Sequence, residues 1–398
     1  MKARLFCKRT DLRTAVEHLM PAISARSPMV VLHHLEVELD PSQKLIRLSS
    51  TDLEVRISTS IPAQITLETD TPEAFLIPAQ IFSDLLAIME AEQIKLEIDG
   101  HHLLVQTGAT KTRISLFAQD AFPPEFEMDP SQPSFSLSMA TFRAALQRVV
   151  IAASSDTTRL NLNSIQIRIL PEGRLHLTAT DGFRLATESI PIKSRTEAST
   201  EFLLPLNVAI KLLRVLPNDE DAPLILRADI SRCLFSWGQM RYWGLLPQSK
   251  FPDWERLIYE EDGKTLQGCP QGFDREALQL AVKRAEIFAR EADISHLVYF
   301  KPTETGMLVS GQAAQIGQSE EEIACPITIP FALNGLFALK GLSALKNPRP
   351  TLSLSDSRKP VILSEDDFIY VVMPLAIPEK NILLEKAPVP VEGEPVPA

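Results

Sequence analysis

The chain has 398 residues, of which 45% are apolar and 23% are charged, and it carries a net charge of −11 at pH 7. This length is enough for two to four domains with ordinary packed cores. No run of about 18 apolar residues occurs and the amino end is charged, so we expect no transmembrane helix, no secretion signal and no membrane partner. The four cysteines lie far apart and the seven histidines lack metal-ligand spacing. We therefore expect no metal, no cofactor and a reducing, cytoplasmic location.

In chain order, the sequence predicts six helices, each indicated by apolar spacing or by a proline at its first turn. They cover residues 8–20, 78–92, 138–153, 205–217, 273–290 and 330–346. After every second helix come two short segments with alternating apolar residues, which predict antiparallel strands. These segments are 94–98 with 103–105, 224–226 with 233–237, and 352–354 with 360–363.

One twelve-residue motif occurs three times, at residues 75–86, 202–213 and 327–338. Its prolines, Pro78, Pro205 and Pro330, are spaced by 127 and 125 residues. A period of that size is a whole domain, because solenoid units are about 20–50 residues long. We therefore predict three tandem copies of one α+β fold, each with helices on one face of an antiparallel sheet. The predicted domains are 1–129, 130–258 and 259–377.

The last segment, 378–398, is rich in proline and has no apolar periodicity. Such a composition predicts a disordered, solvated tail with polyproline-like stiffness. A docking role is the alternative.

Basic charge is concentrated in the predicted helices, which carry 13 Lys or Arg against 8 Asp or Glu in a chain of net −11. Five of the six helices are net positive. Clustered basic charge is typical of phosphate binding, whatever the total charge. Solvated lysines on ordinary helices are the alternative that charge alone leaves open.

Four further motifs stand in order along the chain: Leu48–Val55, Thr178–Ala186, Phe251–Arg256 and Tyr370–Leu375. Together with the threefold repeat, they resemble the bacterial sliding clamps, the beta subunits of DNA polymerase III. The resemblance covers residues 1 to 377. It implies the DNA-clamp fold, with sheets outside and helices inside, and a six-domain ring formed by a head-to-tail homodimer.

The same resemblance implies a non-catalytic processivity factor that encircles duplex DNA without reading its sequence. Its expected partners are the DNA polymerase III alpha subunit, the clamp loader, other polymerases and repair proteins. Arg26 matches a DNA-contacting arginine of the family, whereas the loop around Asp156 lacks the paired tyrosines of some clamps. The expected DNA-binding residues are Arg26, Arg143, Arg148, Lys211, Arg214 and Lys340.

The resemblance also implies one pocket per subunit, between the second and third domains, for short partner peptides with apolar anchors. The matching positions are Leu162, Thr180, Gly182, Phe183, Arg184, Leu185, Pro252, Arg256, Leu257, Pro360, Val371, Val372, Met373, Pro374 and Leu375. Apolar side chains would form the cup, and the arginines would hold carbonyls or an acidic flank at its rim. Phe183 stands where the family commonly has histidine and Ala376 where it often has a basic residue. The stretch 371–375 also fits a plain core strand.

For the ring to close, a strand of the first domain must pair with the third domain of another copy. The matching residues are Lys111, Arg113, Ile114 and Leu116 on one side, and Ile287, Phe288, Glu320, Glu321 and Glu322 on the other. Apolar side chains would face one another, and the cations would lie opposite the three glutamates. A solvated glutamate run is the alternative.

Two rival functions come from other classes. A nuclease or transferase would need clustered carboxylates or a nucleophile motif, and neither is present. Thr180-Asp181-Gly182 parallels Thr51-Asp52-Leu53 in the first repeat, which predicts a turn between strands instead of a catalytic carboxylate. A protein scaffold that never meets DNA is the second rival, and the basic helices argue against it.

Overall fold

The computed structural model describes residues 2–67, 74–107, 110–117, 122–129, 131–193, 199–218, 222–263, 265–292 and 296–377. Contacts divide the chain into two units. Unit one holds the residues up to Gly182 and those from Ala186 to Pro252, and unit two holds Phe183–Leu185 and the residues from Asp253 onwards. The predicted tail, 378–398, lies outside the described residues. The division into three domains stays a prediction.

Unit one is built from seventeen strands, four α-helices and three short 3-10 helices (Met20–Ala22, Val30–His33 and Val150–Ala152) in its described part. Its strands are β1 (Lys2–Lys8), β2 (His34–Asp40), β3 (Leu45–Thr51), β4 (Val55–Pro62), β5 (Gln64–Leu67), β6 (Ala74–Pro78), β7 (Gln93–Asp99), β8 (His102–Thr107), β9 (Thr110–Ser115), β10 (Ser134–Ser138), β11 (Ser164–Leu170), β12 (Arg174–Thr180), β13 (Arg184–Pro191), β14 (Thr200–Pro205), β15 (Pro223–Ala228), β16 (Arg232–Trp237) and β17 (Met240–Leu245). The first two residues of β13 count with unit two. The helices are α1 (Arg9–Leu19), α2 (Ala79–Ile88), α3 (Met139–Val149) and α4 (Leu206–Val215).

The strands of unit one form antiparallel sheets. One sheet has the order β5-β1-β7-β8-β9, and an eight-stranded sheet has the order β10-β15-β16-β17-β4-β3-β2-β6. A third group has the order β14-β11-β12-β13. The eight-stranded sheet is continuous because β17 pairs with β4, with Tyr242 opposite Ile57 and Gly244 opposite Val55. The predicted first and second repeats therefore share one sheet.

Unit two contains three helices and eight strands in its described part. They are α5 (Glu255–Ile258), β18 (Cys269–Gly272), α6 (Arg275–Ala289), β19 (Leu297–Pro302), β20 (Met307–Ala313), β21 (Gly317–Ile323), β22 (Phe331–Asn334), α7 (Gly335–Ala344), β23 (Thr351–Leu354), β24 (Val361–Glu365) and β25 (Phe368–Val372). One antiparallel sheet has the order β21-β20-β19-β22, and β25, β24, β23 and β18 are neighbours in that order. No helix among the described residues is long and apolar enough to cross a membrane.

The long helices are amphipathic, as their sequences predict. Leu12, Phe142 and Leu278 are each the fourth residue of a helix, and each is at most 2% exposed. Burying such a side chain contributes about 1.5–3 kcal/mol, so these residues hold the helices against the sheets. The three residues therefore occupy equivalent places in their helices.

The prediction that the third helix of the motif begins at Pro330 is wrong. Phe331–Asn334 is a strand, and α7 begins at Gly335 with Asn334 as its N-cap, whose Oδ1 accepts from the Phe337 amide at 3.1 Å. Pro78 and Pro205 hold the N-cap positions of α2 and α4, so Asn334 is their equivalent and Pro330 is not. The three motifs were aligned by their prolines. In the structure, the equivalent position is the N-cap residue that directly follows a buried strand. The corrected spacings are 127 and 129 residues.

Candidate functional site

Two turns of the chain are built on the same backbone frame. The first joins β3 to β4 through Asp52, Leu53 and Glu54, and the second joins β12 to β13 through Asp181, Gly182 and Phe183. Leu53 has φ 80° and Gly182 has φ 94°, so both turns use the left-handed region at the same place. This confirms the prediction that the Thr-Asp motif forms a turn.

Each turn is bonded to a strand that runs beside it. The Leu245 amide donates to the Glu54 carbonyl at 2.9 Å, and the Met373 amide donates to the Phe183 carbonyl at 2.8 Å. The second bond lies within unit two and fixes the predicted pocket segments 183–185 and 371–375 to each other. Both segments were assigned to one pocket from the resemblance, and the structure brings them together.

The strand beside each turn carries a buried tyrosine, Tyr242 on β17 and Tyr370 on β25, three residues before the amide that bonds to the turn. The Tyr242 hydroxyl donates to the Val208 carbonyl at 2.6 Å, and the Tyr370 hydroxyl donates to the Phe337 carbonyl at 3.0 Å. Val208 and Phe337 are each three residues beyond the N-cap of their helix, α4 and α7. The two tyrosines were missed from sequence as a pair, although their 128-residue spacing is the repeat period and was a usable signal.

Side chains close the first turn. Lys211 of α4 forms an ion pair with Asp52, and the Asn207 amide donates to the Glu54 carboxylate. Asp52 also accepts from the Val55 amide at 2.8 Å, which fixes the carboxylate in the turn. Lys211 was expected to contact DNA, but its charge is already paired inside unit one.

The second turn carries different side chains. Phe183 is 63% exposed, whereas Arg184 is buried and stacks its guanidinium 4.4 Å from the centre of the Phe337 ring. Such a cation–π contact stabilises a buried arginine, because the ring face is electron-rich. The structure therefore places Arg184 beneath the surface of unit two, where we had expected a rim residue. Phe337 was not among the predicted site residues.

The remaining pocket residues divide by burial. Val371 and Val372 lie in β25, whose five residues are all buried, so this part of the stretch is a core strand. Met373 and Leu257 are exposed at 36% and 48%. The other buried members are Leu162, Thr180, Leu185 and Pro360, and the other members with some exposure are Gly182, Pro252, Arg256, Pro374 and Leu375. Arg256 pairs with Asp253 at 3.4 Å, with 88% of its side chain exposed.

The expected DNA-binding residues also divide. Arg148 donates to Glu188 at 2.9 Å, and both side chains are mostly buried, so this charge is neutralised within unit one. Arg143 is half-buried, and Arg26, Arg214 and Lys340 are exposed. Exposed cations are the ones that can exchange counterions with phosphates.

The two strands expected to join copies of the chain are both sheet edges. β9 ends the five-stranded sheet and β21 ends the four-stranded sheet among the described residues. Lys111 and Arg113 are exposed on β9, while Ile114 is only 5% exposed and packs in the core of its own unit. Leu116 lies just after β9 and is half-buried.

On β21, Glu320 and Glu322 are exposed and Glu321 is half-buried. Glu321 accepts from Arg284 of α6 at 2.6 Å. Hydrogen bonds from the Thr303 and Thr305 hydroxyls hold the pKa of Glu322 below its ordinary value. Ile287 is 51% exposed and Phe288 is half-buried at the end of α6.

Of the four free cysteines, Cys269 is exposed and the other three are buried. No group of three or more His, Cys, Asp or Glu side chains in the described ranges is arranged to hold a metal ion. Cys7, Cys233 and Cys325 are buried, and burial raises the pKa of the Cys233 thiol to about 12.

Comparison with known proteins gives matches along most of the chain. The N-terminal domain of the DNA polymerase III beta subunit matches residues 3–127, and the central domain matches residues 136–253. The beta sliding clamp of Synechococcus elongatus is 24% identical over 384 residues, covering 94% of this chain and 99% of the relative. That of Escherichia coli is 24% identical over 378 residues, covering 93% and 99%. A solved sliding clamp from Pseudomonas aeruginosa, bound to griselimycin, has a TM-score of 0.85 at 21% identity and covers 95% of this chain and 100% of its own.

Proposed function

Because the chain belongs to the bacterial sliding clamps, the beta subunits of DNA polymerase III, we propose that it closes a homodimeric ring around duplex DNA and tethers partners there. The family is that of a non-catalytic processivity subunit, in keeping with the DNA-clamp fold of this chain. We propose three features beyond family membership: that the protein encircles DNA, that it forms a dimer, and that it binds the individual partners named above. The three-domain division, the cytoplasmic location and the site residues are also proposals.

The observation that carries the ring is that β9 and β21 are both open sheet edges with opposite charge. An edge strand presents unpaired backbone donors and acceptors, which a second copy can satisfy. Lys111 and Arg113 on one edge match Glu320 and Glu322 on the other, and such complementarity fixes orientation. Leu116 with Ile287 and Phe288 supplies the apolar contact.

The ring makes strong DNA affinity unnecessary, because topology prevents dissociation while weak phosphate contacts permit sliding. Arg26, Arg214 and Lys340 are exposed and suit such contacts, and Arg143 is half-buried. We assign Arg148 and Lys211 a weaker role, since each is paired within unit one.

The ring is tested by loading the chain onto nicked circular DNA. We expect the protein to stay bound in high salt and to leave when the circle is linearised. Equal loss from circular and linear DNA with a steep salt dependence would mean ordinary electrostatic binding. The double variant Ile287→Ala, Phe288→Ala should sediment as a monomer at concentrations where the parent chain is a dimer, since each truncation removes about 2–4 kcal/mol.

For partner binding, we propose a pocket that takes short peptides with a glutamine followed by Leu and Phe anchors. Its support is the exposed apolar surface of Phe183, Met373 and Leu257, together with the family match. Met373→Ala should weaken such a peptide by about 1–2 kcal/mol in calorimetry. Leu280→Ala on α6, a residue 42% exposed, is the matched control and should leave peptide affinity unchanged. Unchanged affinity in the Met373 variant would remove the pocket and leave the ring standing.

A further inference from the structure

The segment 122–129, which we call the strap, lies on the face of the eight-stranded sheet opposite α4. Tyr242 of β17 bonds to Val208 of α4, so the next side chain along the strand, that of Trp243, points to the other face. There it meets Phe126 of the strap edge-on, with the ring centres 6.2 Å apart. Sheet arginines also hold the strap by its backbone carbonyls, namely Arg56 at Pro123 (2.6 Å), Arg232 at Glu127 (3.2 Å) and Arg227 at Asp129 (2.8 Å). The strap is therefore fixed against the sheet.

A cleft of about 850 Å³ lies beside the strap and is lined by both the strap and the sheet. Its apolar walls come from Phe126, Met128, Ile225, Leu234 and Trp243. Its charged residues are Glu125, Glu127, Arg227 and Arg241. Small-molecule sites have volumes of about 300–1,000 Å³, apolar walls and a few polar groups that orient the ligand, so this cleft has their size and character.

Two of the residues that line the cleft carry a buried donor without an acceptor. Trp243 is 4% exposed, and its indole Nε1 has no hydrogen-bond partner in the described part of the chain. The Nε atom of Arg227 is buried and unpaired in the same way. A buried N–H group without an acceptor costs about 1–3 kcal/mol, and most such groups in native proteins are paired. Two unpaired donors beside one cleft therefore indicate a ligand that brings an acceptor.

The positive charge of Arg227 is not neutralised by an ion pair among the described residues. Its guanidinium donates to a carbonyl, and the Asp129 carboxylate, although close enough to sense this charge, accepts from the Ser131 amide at 2.8 Å. Arg232 is likewise bonded to a carbonyl, and its guanidinium lies 4.8 Å from the centre of the Phe126 ring. Charge-assisted hydrogen bonds to arginine are strong, so an anionic acceptor fits these donors better than a neutral one.

The two acids of the cleft, Glu125 and Glu127, are exposed on the strap, so solvent screens their charge. Arg241 lies 4.0 Å from Glu125 with 63% of its side chain exposed, and ion pairs of this kind are weak. Neither acid therefore prevents an anion from reaching the buried donors.

We propose that the cleft beside the strap binds a small aromatic carboxylate. The aromatic body packs against Phe126 and Trp243, because aromatic pairs are stabilised beyond their buried area. The carboxylate accepts from the Trp243 indole and from Arg227, which pairs both buried donors at once. The site lies within unit one and depends neither on the ring nor on the peptide pocket.

The test uses three probes on the full chain: 2-naphthoate, its neutral analogue 2-naphthamide, and acetate. Isotope-labelled tryptophan gives one indole N–H resonance each for Trp237, Trp243 and Trp254, and Trp243→Phe identifies the second by its loss. Naphthoate should move the Trp243 resonance in a saturable titration. Naphthamide should bind at least about tenfold more weakly, since it lacks the charge that the arginine recognises. Acetate should give no saturation, because it has no aromatic body.

Arg227→Met keeps the aliphatic stem and removes the charge. It should weaken naphthoate at least about tenfold and leave naphthamide within about twofold of the parent chain. Arg4→Met is the matched control, since it removes a cation of β1 whose side chain is 70% exposed, and it should leave both affinities unchanged. Urea unfolding establishes that each variant is folded.

Three results would overturn the proposal. The first is no saturation by naphthoate at millimolar concentration, or a shift confined to Trp237 or Trp254. The second is equal affinity for naphthoate and naphthamide, which the parent chain decides without any variant. The third is an unchanged naphthoate affinity in folded Arg227→Met.

Discussion

The turn at residues 51–54 and the turn at residues 180–183 share the same backbone conformation and hydrogen bonds, but their surface side chains differ. Each has a residue at positive φ, a carbonyl that accepts from a strand beside it or from the residue just after that strand, and a tyrosine on that strand bonded to the third residue of a helix. The first turn is closed by Lys211 with Asp52 and by Asn207 with Glu54. The second exposes Phe183 and stacks Arg184 on Phe337.

The two turns share their backbone conformation because the fold is repeated, whereas a few side chains determine what each turn exposes. Backbone hydrogen bonds and a buried tyrosine depend on the fold, so both copies keep them. Side chains at the turn surface are free of that constraint. One copy uses them to lock its helix to the turn, and the other exposes the Phe183 ring.

The largest predicted effect breaks the second copy at its buried tyrosine, Tyr370. A Cβ at Gly341 would lie 2.3 Å from the Tyr370 ring, which is fully buried and hydrogen-bonded. Gly341→Ala should therefore destabilise unit two by about 2–3 kcal/mol through overpacking. Urea unfolding measures this loss. Gly272→Ala is the control, since a Cβ there meets nothing within 4 Å, and equal stability of the two variants would contradict the packing argument.

Removing the closing ion pair should weaken the first turn alone. In Lys211→Ala, Asp52 keeps its backbone bonds but loses a partially buried cation, and we expect a loss of about 1–2 kcal/mol, between surface and buried ion pairs. Thermal unfolding of unit one reports the change. Arg214→Ala removes an exposed cation from the same helix and should cost less than about 0.5 kcal/mol. A larger effect from Arg214 would mean that the pair does not close the turn.

The two tyrosine bonds should be equivalent. Tyr242→Phe and Tyr370→Phe each remove one of the hydrogen bonds to a helix carbonyl, so each should cost about 1 kcal/mol. Chemical denaturation of the two variants tests the equivalence directly. A cost confined to one of them would show that the frames differ behind the turns as well as at their surfaces.

The smallest effect concerns backbone strain in the first turn. Leu53 holds φ 80°, whereas its counterpart Gly182 can adopt φ 94° freely. Leu53→Gly should relieve part of the backbone strain in the folded state. Because glycine also raises the conformational entropy of the unfolded chain, we expect the free energy of unfolding to increase by only about 0.5 kcal/mol. Gly182→Ala should lose about 1 kcal/mol. Stabilisation by Gly182→Ala would show that the turn is not strained by a side chain.

The sequence by itself determined the α+β class, the helix positions and the repeat. Apolar spacing depends only on helix geometry, and the spacing that predicted the helices places Leu12, Phe142 and Leu278 in the core. The Thr-Asp turns could also be predicted from the sequence, because local hydrogen bonds hold them. The third motif was misaligned by four residues, because a proline is only one of several residues that can begin a helix and Asn334 caps α7 instead.

Only the tertiary structure decided which charged and aromatic side chains are exposed and which are paired or buried. Arg148 and Lys211 resemble Arg214 in sequence, yet Glu188 lies 40 residues from the first and Asp52 lies 159 residues from the second. Arg184 is likewise withdrawn by Phe337, far along the chain. Pairing over such separations follows from how strands and helices pack, and local sequence carries no signal for it. The sequence thus determined the repeated frame, and long-range contacts decided which copy is closed and which presents an aromatic surface.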